Sequence, residues 1–128
     1  MSYTINREFE NARMDEIEER VRQALQEKGF GILSEIDVAA TLQQKIGVTV
    51  PPYKILGACN PKMAHKAIES EPRIGTMLPC NVILRDVGDS IEVSAIDPVA
   101  SMTAVDNDGL TPIAAEVRDM LAEAVANI

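Results

Sequence analysis

Two dipeptides carry the residue types best suited to chemistry in this chain: Cys59-Asn60 and Cys80-Asn81 contain its only two cysteines. A thiolate is a nucleophile, and its sulfur is a soft metal ligand. Three readings follow. One thiolate could act as nucleophile with the other as resolving partner. The two sulfurs could hold a zinc or cuprous ion, with Asp97, His65, Met63, Met77 or Met102 completing the set, although their spacing matches no recognised zinc pattern. Alternatively, both cysteines fill space, since cysteine is among the most buried residue types.

Other chemistry is sparsely represented. The single histidine, His65, stands four residues before Glu69 on a predicted outer helix face, the spacing of an exposed ion pair. No phosphate-cradling glycine loop, Ser-His-Asp set or recognisable carboxylate pair appears, which argues against ordinary hydrolase chemistry. Asn60 precedes proline and reads as a helix cap, whereas Asn81 enters a strand and has no such local task.

Composition narrows the partners. With 128 residues the chain reads as one domain over residues 1–128, and a net charge of -8 repels phosphate backbones and anionic lipid surfaces. Hydrophobic residues form 46% of the chain but aromatics only 3%, so the core is aliphatic and base-stacking surfaces are not expected. No signal-peptide pattern or membrane-spanning apolar run is present. We therefore expect a cytoplasmic protein with reduced thiols, no nucleic-acid partner and no membrane partner.

The elements that position the cysteines are signalled locally. A weak first strand over residues 3–8 precedes a helix with Met14, Ile17, Val21 and Leu25 at helical spacing, stopped by Gly29. A strand over residues 29–37 leads to Asp37, the cap of a short helix carrying Val38, Leu42 and Ile46 on one side and ended by Gly47. The stretch YKILGAC, residues 53–59, is a third strand; Asn60-Pro61 then opens a helix expected to bury Ala64, Ala67 and Ile68. After a turn at Gly75, strands over residues 80–86 and 90–97 form a hairpin through Val87-Gly88-Asp89. Asp97-Pro98 opens a short helix, and Thr111-Pro112 the last one, with Ile113, Val117, Leu121 and Ala124 inward.

Consecutive segments usually pack side by side, and one helix layer on one face of an antiparallel sheet is the simplest arrangement for this order. If the last four strands form a meander, the third ends, the fourth begins and the fifth ends at one edge of the sheet, bringing Cys59, Cys80 and Asp97 together. Two helices start there, and their free N–H groups would favour a thiolate or anion. A parallel third and fourth strand joined by a crossover helix would instead separate the cysteines.

The stretches GFGILSEIDVAATLQQKIG, PYKILGACNP, EPRIG and LPCNV resemble domain-of-unknown-function family 302 over roughly residues 9–98, with the final helix near 111–127 lying beyond that core. The resemblance implies an α+β fold, a β-α-β(4)-α arrangement like that of the TATA-binding protein, with extra short helices, and a homodimer. It implies no reaction and no cofactor. It carries Cys59, Asn60, Pro61, Pro79, Cys80 and Asn81 over as motif positions.

The expectation is thus a homodimeric α+β domain with a polar, thiol-bearing pocket of Cys59, Asn60, Cys80, Asn81 and Asp97 that binds a small ligand or soft metal. The alternatives are a thiol redox enzyme acting on a small sulfur or peroxide substrate, and a purely structural dimer.

Overall fold

Residues 2–128 are described by the computed structural model of the chain. Their elements run β1 (Thr4–Glu10), α1 (Met14–Glu27), β2 (Gly31–Asp37), α2 (Val38–Ile46), β3 (Tyr53–Cys59), α3 (Pro61–Ser70), β4 (Cys80–Asp86), β5 (Ser90–Ile96), α4 (Pro98–Ser101) and α5 (Leu110–Ala126). The starts and stops follow the expected side chains. Asp37 accepts from Ala40 N, Asn60 from Met63 N and Asp97 from Val99 N and Ala100 N, so each supplies an acceptor to a helix's unpaired first turn. Gly29 and Gly47 adopt φ of +84° and +68°, the left-handed conformation that ends a helix.

The sheet has five strands in the order β1-β5-β4-β3-β2, every pair antiparallel. The meander from β2 to β5 is therefore present and the parallel crossover is not. Period-two alternation gives the sheet one apolar face: Leu56 and Ala58 of β3, Val82 and Leu84 of β4, and Val93 and Ala95 of β5 are buried there. Ile17, Val21 and Leu25 of α1 and Val117, Leu121 and Ala124 of α5 join them in one core. Each fully buried leucine, such as Leu56, Leu84 or Leu121, is worth about 1.5–3 kcal/mol.

Four details depart from the sequence reading. Strand β2 begins at Gly31, because Gly29 closes α1. On α3 it is Met63 and Ala67 that are buried, while Ile68 is 45% exposed. A 3-10 helix over Pro72–Met77 occupies the expected turn at Gly75. Helix α2 buries none of its residues, and Ile46 in its apolar stripe is 66% exposed.

The second sheet face carries no helix-packed core. Asn6, Tyr53, Asn81, Ile83, Arg85 and Ser94 border a broad hollow of about 570 Å³ on that face. Among the described residues no helix is long and apolar enough to cross a membrane.

Candidate functional site

The meander brings the end of β3, the start of β4 and the end of β5 to one end of the sheet, but the side chains there diverge. Cys80 lies opposite Ala58 in the β3–β4 register, whereas Cys59 lies opposite Gly31 in the β2–β3 register. Because side chains alternate along a strand, Cys80 shares the helix-covered face with Ala58 and Leu56, while Cys59 alternates to the other side with Gly57. Both thiols are free, Cys80 buried and Cys59 half-buried.

Of the five residues expected to form one polar pocket, Cys59, Asn60 and Cys80 border a common cavity, while Asn81 and Asp97 do not. Asn60 Oδ1 is occupied as the cap of α3, 3.3 Å from Met63 N. Asn81 is exposed on the open sheet face, one step of alternation from Cys80. Asp97 caps α4 and lies 3.8 Å from Arg118 Nε. The correction has one physical cause: adjacent residues of a strand point to opposite faces, so Cys80-Asn81 cannot serve a single pocket with both side chains.

Gly57 shows how tightly this end is assembled. A Cβ there would lie 2.2 Å from Ser34 Oγ and 2.7 Å from Pro79 Cγ. Only glycine lets Pro79 approach β3 and lead into β4 at Cys80.

On the helix side, Cys80 borders a half-open apolar cavity of about 30 Å³. Met63 and Ala67 of α3, Met102 beyond α4, and Ile113 and Val117 of α5 form its walls; Cys59 and Asn60 border it where β3 passes into α3. That volume is of the order of one or two water-sized spheres, and its lining is almost wholly apolar. Four of the bordering residues carry sulfur: Cys59, Met63, Cys80 and Met102. Met77 does not border it, and no periodicity around Met102 marks that residue in advance. Met63 and Ala67 were findable, being four apart on one helix face.

Electrostatics run opposite to the expectation of an activated thiolate. Burial pushes the Cys80 thiol up to about 11, reinforced by the charge of Cys59, and burial also raises Cys59. Desolvation is the main cause at both thiols, and both are protonated at neutral pH. His65 Nε2 lies 3.3 Å from Glu69 Oε1 on the exposed face of α3, the pairing its spacing predicts. Among the described residues no cluster of three or more His, Cys, Asp or Glu side chains is placed to hold a metal ion.

The family model for "Domain of unknown function DUF302" matches residues 5–128. A crystal structure of an uncharacterized conserved DUF302 protein from Bacillus stearothermophilus superposes with a TM-score of 0.92 at 24% identity, covering 99% of this chain and 98% of the other. At that identity the likeness speaks for the fold alone. No curated protein matches the chain. With nearly the whole sequence inside the family model and its α+β architecture shared by a solved member, the chain belongs to the DUF302 family.

Proposed function

We propose that this domain is a homodimeric, cytoplasmic binding module that takes a small apolar or soft, sulfur-seeking ligand into the cavity beside Cys80. The observation that carries the reading is the cavity itself, apolar yet bordered by four sulfur-bearing residues at one end of the sheet. A protonated thiol and two thioethers are polarisable without being charged, which suits a soft ligand in an apolar space. The raised thiol pKa argues against the redox-enzyme alternative, because a nucleophilic thiol needs its thiolate. The homodimer reading is supported by the uncovered sheet face and by α2, whose apolar stripe leaves Val38 and Leu42 half-buried and Ile46 exposed.

The test uses two probes on the native protein: xenon for an apolar ligand and cuprous ion under anaerobic conditions for a soft one. Methyl resonances of Met63, Met102, Ile113 and Val117 are expected to shift with one probe, and to stop shifting in Ala114→Leu, which fills the cavity. No shift with either probe would leave the purely structural dimer as the correct reading.

A further inference from the structure

The cavity beside Cys80 is too small for an organic ligand of ordinary size. Pockets for such ligands run to roughly 300–1,000 Å³. This one holds about 30 Å³. Its occupant is therefore on the scale of a single atom, and the bordering side chains decide which atom fits. Because the cavity is half open, an ion reaches it without any wall having to move.

The available donors are soft. Among the bordering side chains, the one donor without sulfur is the Asn60 amide, and its Oδ1 is taken by Met63 N as the cap of α3. Oxygen-seeking cations such as calcium and magnesium find no carboxylate there. Met63 of α3, Cys80 at the start of β4 and Met102 just after α4 supply two thioethers and a thiol from three separate elements. Met63 and Cys80 are buried and Met102 is half-buried. Methionine side chains are unbranched and adaptable, so both thioethers can adjust to an ion held by Cys80.

Charge then selects the valence. A net charge left among apolar side chains is heavily penalised. One thiolate and two neutral thioethers carry a single negative charge, so a monovalent cation leaves the site neutral. Zinc would leave one positive charge over and would lack the fourth protein ligand of a structural site. Cuprous ion is monovalent and soft, and cysteine and methionine are the side chains that select it. Cys59 is outside the set, because its side chain alternates to the other face of β3 and a second thiolate would make the site anionic.

We propose that Cys80, Met63 and Met102 form a three-sulfur site for one cuprous ion. This rests on the ligand-binding reading of the cavity and names its ligand. On binding, the Cys80 Sγ–H bond breaks, the proton leaves to solvent and the sulfur bonds to copper; the copper stays cuprous, so nothing is oxidised or reduced.

The test is an anaerobic titration of the full chain with cuprous ion against a competing chelator, with copper X-ray absorption on the loaded protein. One ion per chain is expected, with three sulfurs around it. Cys80→Ser should abolish binding. Met63→Leu and Met102→Leu, which keep the side-chain volume, should each weaken it by roughly tenfold or more, as loss of a soft ligand requires. Cys59→Ser should bind as the native chain does.

Binding that survives Cys80→Ser, or that is lost in Cys59→Ser, would overturn the proposed set, as would a first shell of nitrogen or oxygen. Should Cys80→Ser fail to fold by circular dichroism, the sulfur count on the unmodified chain still decides. Xenon shifts without copper binding would overturn the cuprous site and leave the ligand reading standing, whereas failure of both probes would reject both.

Discussion

Cys80 faces Ala58 across the β3–β4 ladder, and Cys59, the residue after Ala58, stands in register with Gly31 on the opposite side of its strand. Two thiols that neighbour each other in the topology are thereby given different environments, one in the core and one at the strand end. That difference governs how each should titrate.

Stability should fall as pH rises from about 9 toward 11. The ordinary thiol value is 9.0 and burial raises Cys80 to about 11, so between those values the unfolded chain loses a proton that the folded chain keeps. The unfolded state then binds fewer protons, the slope of stability against pH is negative, and the contribution present below pH 9 is lost by pH 11. Its full size is about 2–3 kcal/mol. Denaturant unfolding at several pH values checks this, and Cys80→Ala should flatten the slope while Cys59→Ser flattens it less.

The two asparagines of the repeated Cys-Asn dipeptide should be unequal on mutation. Asn60→Ala removes the acceptor for Met63 N at the start of α3 and should cost roughly 0.5–2 kcal/mol. Asn81→Ala changes an exposed side chain on the open sheet face and should stay within about 0.5 kcal/mol. Equal costs, measured by thermal or denaturant unfolding, would mean that Asn81 has a buried partner in the working assembly.

The open sheet face gives a third prediction. If that face meets a second copy, Ile83→Glu should convert the dimer to monomer with little loss of fold, because Ile83 points away from the core that holds Val82 and Leu84. Light scattering with circular dichroism of the same sample decides it. A dimer unaffected by this change would place the interface elsewhere, and Ile46→Glu on α2 would be the next variant to compare.

How much was legible follows from the range of each signal. Asp37, Asn60 and Asp97 act on backbone within three residues of themselves, and all three caps are found where local sequence places them. The meander of β2 to β5 also followed, because consecutive segments usually pack side by side, whereas the pairing of β1 with β5 is a long-range contact that no local signal announces. What the sequence hid was non-local. Nothing near Asn107 in the chain announces its bonds to Ser70 and Glu71, and nothing near Met102 says that it borders the same cavity as Cys80. The grouping of Cys80 with Asn81 failed for a reason that was legible all along, the alternation of a strand, once β4 was known to begin at the cysteine itself.

Two arginines hold the two ends of the described chain together. Arg7 Nη1 on β1 donates to Val125 O, Ala126 O and Ile128 O, and Arg20 of α1 donates to Ile128 O. Both guanidiniums lie over the Phe9 ring, at 4.7 and 5.2 Å from its centre. The final carbonyls of a helix have no partner within it, so Arg7 satisfies what α5 cannot, and its charge complements the negative end of the helix dipole. Arg7→Ala should therefore cost about 1–3 kcal/mol and raise amide exchange at the end of α5. Arg7→Lys keeps the charge but offers a compact ammonium in place of the planar guanidinium over Phe9, and should recover only part of the loss. Full recovery by lysine would mean that charge alone holds this end of the helix, and that stacking on Phe9 contributes nothing.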